Sequence, residues 1–133
     1  MPLVRISLLK GKPPSYRRKV GDAIHQAMVE TIDVPAKDRF QLITEHDPED
    51  FIYDSEFLGI ARSQDLAIIQ ITLATGRSLQ LKRSLYRTIA KRLGEAVALR
   101  PEDVLINLVE VARENWSFGN GAASYAPEEA AAA

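Results

Sequence analysis

The segment LVRISLLKG, residues 3–11, recurs 65 positions downstream as IIQITLATG, residues 68–76. The likeness continues without a gap to Glu45 in the first copy and to Glu110 in the second. The matched identities are Ile6/Ile71, Leu8/Leu73, Gly11/Gly76, Arg18/Arg83, Ile24/Ile89, Glu30/Glu95, Asp38/Asp103 and Glu45/Glu110. Self-similarity of this kind is the signature of a supersecondary unit present twice.

Each copy has the pattern of a strand, a helix and a second strand. Short apolar, β-branched segments predict strands, and apolar residues at spacings of three and four predict an amphipathic helix between them. The predicted strands are Leu3 to Leu9, Arg39 to Glu45, Leu66 to Ala74 and Val104 to Val111; the helices begin at Pro13-Pro14-Ser15 and after Ser78, a candidate N-cap. We therefore predict an α/β (α+β) fold in which a tandem β-α-β repeat forms a four-stranded sheet with two helices on one face.

The other face of that sheet also carries apolar side chains, because the strands do not alternate cleanly between apolar and polar residues. An apolar sheet face requires a cover. The simplest cover is a second copy of the chain, so a homo-oligomer is expected.

The repeat also sets the domain organisation. We expect one domain over residues 1–125, in which a linker over residues 46–65, with a short hairpin, joins the units 3–45 and 66–111. An irregular segment, 112–125, follows, and the Ala/Glu-rich tail 126–133 is expected to be disordered.

Composition excludes several classes of function. The 133-residue chain has no cysteine, which excludes thiol catalysis and thiolate metal sites. Its 17 basic and 18 acidic side chains give a net charge of −1, which leaves no broad positive potential to attract nucleic acid. The apolar runs are far shorter than the roughly 18 residues of a membrane span, so a cytoplasmic protein is expected. His25 and His46 are not at a metal-ligand spacing and the glycine loops lack a nucleotide motif, so neither a metal nor a cofactor is predicted.

Pro2 is the first candidate for chemistry. Initiator methionine is normally removed before a small residue, which would leave a secondary amine at the start of a strand. An α-amine titrates at about 7.7 to 8.0 in model peptides, a range suited to proton transfer. The alternative is that Pro2 only begins an edge strand. Its counterpart in the second copy, Ala67, lies inside the chain, so each subunit would have one such site.

Five segments, the first of which contains Pro2, carry a resemblance over the whole chain from Pro2 to about Tyr125. They are Met1-Pro2-Leu3, the residues VPAKDRFQ at 34–41, LGIARSQD at 58–65, TGRS at 75–78 and WSFG at 116–119. In this order they resemble the tautomerase superfamily and, within it, the malonate semialdehyde decarboxylase family. The resemblance implies a cofactor-free homotrimer that acts on a small oxo-acid.

The resemblance also implies roles for single residues. Pro2 would be the catalytic amine, Asp38 its carboxylate partner or water activator, and Arg77 the group that binds the substrate carboxylate. Trp116 and Phe118 would form an apolar wall. The preferred reaction is decarboxylation of malonate semialdehyde to acetaldehyde and carbon dioxide, with Pro2 as a cation or as a Schiff-base nucleophile.

Other functions stay open. Keto-enol tautomerisation of a phenylpyruvate-like compound would use neutral Pro2 as a base, and hydration of an unsaturated oxo-acid would use Asp38 to direct water. A non-catalytic oligomeric binding protein is the third alternative.

Each site residue also has a structural interpretation. Asp38 could cap a turn, because Asp103 matches it in the second copy. Arg77 could be a solvated surface arginine, and Trp116 with Phe118 could plug the core.

The Thr75-Gly76-Arg77 loop departs from family members that have two arginines separated by one residue. Thr75 stands in place of the first arginine and is taken as a substrate-binding position. The identity of the acid stays open, and Arg39 and Arg62 are possible substitutes for the missing cation.

Overall fold

The computed structural model describes residues 2–126. All of the predicted tail except Ala126 lies outside these residues. The strands are β1 Leu3–Leu9, β2 Phe40–His46, β3 Ala67–Ala74 and β4 Val104–Val111, and the helices are α1 Pro14–Ile32 and α2 Leu79–Val97. The predicted element order is confirmed, with β1 and β4 matching at both ends.

The four strands form one sheet in the order β2-β1-β3-β4. Each repeat unit contributes a parallel pair, β1 with β2 and β3 with β4, and the two units meet where β1 runs antiparallel to β3. Because β1 lies between two other strands, the interpretation of Pro2 as the start of an edge strand is wrong.

The two helices share their length and their ending. Each has 19 residues. Asp33 ends α1 with φ 55° and Ala98 ends α2 with φ 56°, so both copies stop their helix with a left-handed residue. The predicted N-cap of α2 is confirmed, because the Ser78 hydroxyl accepts a hydrogen bond from the Leu81 amide at 3.2 Å.

One face of the sheet packs against both helices. Alternate residues of β1 and β3 point to this side, since successive side chains in a strand face opposite ways. The buried core comprises Val4, Ile6, Leu8, Ile69, Ile71 and Leu73 of the sheet with Val20, Ile24, Ala27, Met28, Leu85, Ile89 and Leu93 of the helices. Burial of these side chains, at about 1.5 to 3 kcal/mol each, is the main stabilising contribution to the fold.

Within residues 2–126, no helix packs against the opposite face of the sheet, here called the open face. Phe40, Leu42 and Val109 are exposed on it. A polar row crosses its middle, because Arg5, Gln70 and Asn107 are paired across neighbouring strands. The open face is therefore mixed, with its apolar exposure concentrated on the edge strands.

The linker contains two 3₁₀ turns, Pro48–Asp50 and Phe57–Gly59, and no strand, so the short hairpin expected there is wrong. Its conformation is instead maintained by single hydrogen bonds, such as that from the Tyr53 hydroxyl to the Ser63 carbonyl at 3.0 Å. Neither helix of the described residues is both long and apolar enough to cross a membrane.

Candidate active site

The residues singled out for chemistry meet at one end of the sheet. Leu3 is paired with Phe40 in the parallel direction and with Thr72 in the antiparallel direction. The starts of β1 and β2 therefore lie beside the ends of β3 and β4. This register brings Pro2, Asp38, the loop at 75–77 and the segment after β4 to the same end of the sheet.

Pro2 is buried at this end of the sheet, directly before the first residue of β1. It lines a cavity of about 200 Å³ together with Leu3, Phe40, Trp116, Ser117 and Phe118. In the chain as translated its nitrogen is an amide, because Met1 precedes it. Removal of Met1 would convert that nitrogen into a secondary amine in the wall of an apolar cavity.

The aromatic wall of the cavity consists of Phe40, Trp116 and Phe118. The Trp116 and Phe118 rings are stacked, with centroids 5.1 Å apart and planes 2° from parallel, and Phe40 lies 5.8 Å from Phe118. Sequence analysis identified Trp116 and Phe118 but not Phe40. The structure thus places the predicted wall beside Pro2 rather than within the helix-covered core.

A tight turn fixes this wall. Gly119, Asn120 and Gly121 all have positive φ, and they reverse the chain so that the Ser124 hydroxyl accepts a hydrogen bond from the Phe118 amide at 3.0 Å. The returning chain packs Tyr125 edge-on against Phe118 at 5.6 Å. Tyr125 is a second aromatic group that sequence analysis did not assign to the site.

Arg77 lies in a second cavity, of about 270 Å³, at the same end of the sheet. Its Nη1 donates a hydrogen bond to the Ala74 carbonyl at 3.0 Å, which holds the half-buried side chain against the end of β3. Thr75 and Gly76 also line this cavity, and so does Arg113, from the 3₁₀ turn that follows β4. Asp33, the residue that ends α1, lines the cavity as well. One acidic residue and two guanidinium groups therefore border one space, in which the guanidinium groups could bind a carboxylate.

Arg113 was not found by sequence analysis. The feature that could have identified it is its position just after β4, which is parallel to β3. Parallel neighbours end at the same end of the sheet, so Arg113 and Arg77 both follow strands that end there. Arg62, considered as a substitute cation, lies at the other end of the sheet, where its Nη1 donates to the carbonyls of Phe57 and Ile60. Arg39 is paired with Asp22 at 2.7 Å. In the described chain, Arg113 is the additional arginine beside Arg77.

Asp38 is half-buried in the connector between α1 and β2, two residues before Phe40, which pairs with Leu3. Its backbone amide donates to the Pro35 carbonyl at 3.0 Å, which closes a turn. The parallel register thus places Asp38 and Pro2 at the entrances of two adjacent strands.

The two cavities have no lining residue in common. Within the described residues, Pro2 is grouped with the aromatic wall, and Arg77 with Thr75 and Arg113. A carboxylate substrate that used both groups would have to extend across the edge of the sheet from one cavity to the other.

One group of carboxylates that are close enough to bind the same cation lies outside these two cavities. Asp47, Glu49 and Asp50 form such a group in the described chain, but all three are exposed and follow the far end of β2. They lie away from the edge that carries Pro2.

Comparisons with known proteins show that the chain is similar to tautomerases. Two family models described as tautomerase enzyme match residues 2–60 and 38–119. A probable tautomerase of Bacillus subtilis (strain 168), YusQ, is 41% identical over 92% of this chain and 97% of its own.

Two solved structures have the same fold with TM-scores of 0.87. One is malonate semialdehyde decarboxylase, 31% identical over 92% of this chain and 95% of its own. The other is FG41 malonate semialdehyde decarboxylase inhibited by 3-bromopropiolate, 38% identical over 92% of this chain and 93% of its own. With these matches over nearly the whole length, and a proline at the head of the central strand, the chain belongs to the tautomerase family.

Proposed function

We propose that this protein is a cofactor-independent enzyme that decarboxylates malonate semialdehyde to acetaldehyde and carbon dioxide, using the Pro2 amine released by removal of Met1. The observation that carries the proposal is the burial of Pro2 in the wall of an aromatic cavity, at the sheet edge that also bears Arg77 and Arg113. The similarity to two malonate semialdehyde decarboxylases supports the choice of substrate.

The reaction needs an acceptor for the electrons of the breaking bond. In the protonated state, the Pro2 amine donates a hydrogen bond to the aldehyde oxygen and stabilises the charge that develops there. The bond between the carboxylate carbon and the α-carbon breaks, its electron pair forms the carbon–carbon double bond of an enolate whose oxygen accepts the Pro2 hydrogen bond, and carbon dioxide leaves. A proton then adds to the α-carbon, which yields acetaldehyde.

Binding of the substrate carboxylate is assigned to Arg77, with Arg113 as the second cation. A guanidinium forms two parallel, charge-assisted hydrogen bonds to a carboxylate and so fixes its plane. Holding that plane perpendicular to the carbonyl aligns the breaking bond with the carbonyl π-system. Thr75 adds a hydroxyl at the same cavity.

The aromatic wall favours loss of charge. The carboxylate is charged in its arginine cavity, whereas carbon dioxide and the aldehyde product are neutral, so the apolar surface of Phe40, Trp116 and Phe118 beside Pro2 favours the product side of bond cleavage. Asp38, close to Pro2 in the strand register, is the carboxylate that stabilises the cationic amine.

Keto-enol tautomerisation is the second candidate, and the description of YusQ as a probable tautomerase favours it. The same groups serve this reaction when Pro2 is neutral, because the amine then removes a proton from the carbon next to a carbonyl. The protonation state of Pro2 at neutral pH therefore distinguishes the two reactions.

The active assembly is proposed to be a homotrimer that packs its open faces together. Phe40 and Leu42 are each about half exposed on this face, at 49% and 51%. Phe40 also lines the cavity of Pro2. A neighbouring subunit on the open face would therefore cover the aromatic wall as well.

The test uses protein whose loss of Met1 is verified by mass spectrometry. Acetaldehyde formed from malonate semialdehyde is measured with a coupled reductase, beside the Pro2→Ala variant and beside ketonisation of enolic phenylpyruvate. We expect decarboxylation well above the Pro2→Ala rate, and an amine pKa above the model range by nitrogen-15 NMR. Ketonisation without decarboxylation, together with an amine pKa below that range, would replace the decarboxylase assignment by the tautomerase one.

A further inference from the structure

Helix α1 holds the connector that carries Asp38 through a buried histidine. His25 is 8% exposed, and its Nε2 lies 2.8 Å from the carbonyl oxygen of Ala36, two residues before Asp38. A carbonyl oxygen only accepts hydrogen bonds, so Nε2 carries the hydrogen. The other ring nitrogen is buried and has no partner within residues 2–126. The polar contact of His25 in the described chain is thus directed to the connector.

A second attachment lies on the other side of Asp38. Arg39 donates to Asp22 at 2.7 Å and to the Gln41 side-chain oxygen at 2.9 Å and 3.1 Å. Gln41 in turn donates to the Gly21 carbonyl of α1 at 2.8 Å. The backbone on both sides of Asp38 is therefore tied to about one turn of α1, residues 21–25.

Gly21 provides the space for this attachment. A Cβ at position 21 would lie 2.7 Å from the Gln41 side-chain oxygen, closer than any ordinary contact. Glycine inside a helix lowers helix stability because of its backbone freedom. Its presence in the middle of α1 is accounted for by the approach of Gln41.

The second repeat unit lacks the whole arrangement. The positions that match Gly21, Asp22, His25, Arg39 and Gln41 are Tyr86, Arg87, Ala90, Val104 and Ile106. Asp103, which matches Asp38, is instead held by direct hydrogen bonds from Ser63 and Arg100 to its carboxylate. Side-chain hydrogen bonds of this kind between the connector and the helix of the same unit are therefore found, among the described residues, only in the unit that carries Pro2.

We infer that His25, Arg39 and Gln41 form a positioning clasp, which sets where the Asp38 carboxylate stands relative to the Pro2 amine. The inference rests on the proposed function, in which Asp38 stabilises the cationic amine. None of these three residues lines either cavity assigned to the substrate. A displacement of about 1 Å in a catalytic group can lower a rate by about 100-fold, so the clasp matters for turnover more than for substrate binding.

The experiment compares His25→Leu, which removes the donor, with His25→Gln, which offers an N–H at similar reach. In the Leu variant we expect kcat to fall by at least about tenfold, with KM within about twofold, because Arg77 and Arg113 still bind the carboxylate. The Gln variant is expected to recover most of kcat. Thermal unfolding of both variants is measured and should be cooperative. The assays are then run at a temperature at which both variants are folded.

A second comparison uses matched glycines. Gly21→Ala places a methyl group against Gln41, whereas the Cβ of Gly94→Ala in α2 would have only an ordinary 3.5 Å contact with the Leu99 carbonyl oxygen. We expect Gly21→Ala to lower kcat in the manner of His25→Leu and Gly94→Ala to leave kcat unchanged. Equal effects of the two glycine variants would overturn the clasp.

The decisive measurement is the pKa of the Pro2 amine in the free protein. His25→Leu should shift this pKa in the same direction as Asp38→Asn, and should add no further shift in the double variant, since both act through one carboxylate. Independent, additive shifts, or no shift with His25→Leu, would overturn the inference. This readout does not depend on turnover, so failure of the proposed function would show separately, as decarboxylation by the wild type that is no faster than that of Pro2→Ala.

Discussion

The Asp103 carboxylate accepts two hydrogen bonds from Ser63, one from the backbone amide at 2.6 Å and one from the hydroxyl at 2.7 Å. The two residues are 40 positions apart, so this contact ties the linker to the entrance of β4. Arg100 adds a third hydrogen bond at 3.1 Å. The aspartate shared by the two repeat units therefore has a structural role in the second unit, while its counterpart Asp38 lies at the entrance of β2, the strand parallel to the one that Pro2 precedes.

Asp103→Asn should destabilise the fold in a pH-dependent way. Burial acts to raise the pKa of the Asp103 carboxyl, but the hydrogen bonds from Ser63 and Arg100 outweigh it, and the pKa lies below its ordinary value. A lowered pKa gives stability that is complete above the unfolded value of about 3.9 and is lost as the pH falls through the folded value. We expect the variant to lose about 2 to 3 kcal/mol of unfolding free energy at pH 7.

Urea unfolding at several pH values between 3 and 7 measures this effect, with Glu102→Gln, an exposed neighbour in the same turn, as the control. The gap between wild type and Asp103→Asn should narrow below about pH 4, where the carboxyl begins to be protonated in the unfolded chain. A gap that is constant over the whole range would mean that shape, not charge, is what Asp103 contributes.

Arg113→Ala should weaken binding of the substrate carboxylate. Arg113 and Arg77 border the same cavity, and loss of one charge-assisted hydrogen bond costs about 1.5 to 3 kcal/mol, or about 10- to 100-fold in kcat/KM. The effect should appear in kcat as well as in KM, because the carboxylate carbon is one end of the bond that breaks and the arginines hold its plane across the carbonyl. Steady-state kinetics of Arg113→Ala and Arg77→Ala test this, with Arg87→Ala on the exposed surface of α2 as the control. An unchanged kcat/KM in Arg113→Ala would leave Arg77 as the sole carboxylate ligand from this cavity.

An extension of two residues before Pro2 should abolish turnover. The extension makes the Pro2 nitrogen an amide, which neither accepts nor donates a proton at neutral pH, and it adds bulk at a buried position. We expect activity at or below that of Pro2→Ala, with the oligomeric mass unchanged. Removal of the extension to expose Pro2 should restore activity in the same sample. Full activity in the extended chain would exclude the amine as the catalytic group and would favour a role for the protein in binding alone.

The repeat is what made the fold predictable. Apolar periodicity located the strands and helices. The repeat at an offset of 65 residues then predicted that β3 and α2 have the same structure as β1 and α1. The linker has no counterpart in the repeat, and its hairpin prediction was wrong. Local patterns there did not specify that Ser63 would be held by a distant aspartate.

The candidate site was only partly predictable, for a related reason. Pro2, Arg77 and the residues at 116–118 stand out by position or by type, and the structure brings them to one edge. Arg113 and the role of His25 depend on which strand ends lie side by side and on which helix face meets the connector. Those relationships arise from the sheet order, and periodicity along the chain does not specify them.

Leu42→Glu should separate the subunits of the proposed trimer. Leu42 is half exposed on the open face, on the same strand and the same side as Phe40 of the aromatic wall. Desolvation of a glutamate buried at each interface costs several kcal/mol and can exceed what pairing with Arg5, its cross-strand neighbour, returns, whereas on a free monomer the charge stays in water. Sedimentation equilibrium should therefore give the mass of three chains for wild type and of one chain for the variant.

Activity should fall together with the mass, because an uncovered wall admits water to the cavity of Pro2. Ala96→Glu is the matched control: it adds the same charge at an exposed position of α2, on the helical side of the sheet. This control should keep both the mass and the activity of wild type. A Leu42→Glu protein that remains trimeric would place the interface elsewhere than on the open face, and a monomeric wild type would overturn the trimer itself.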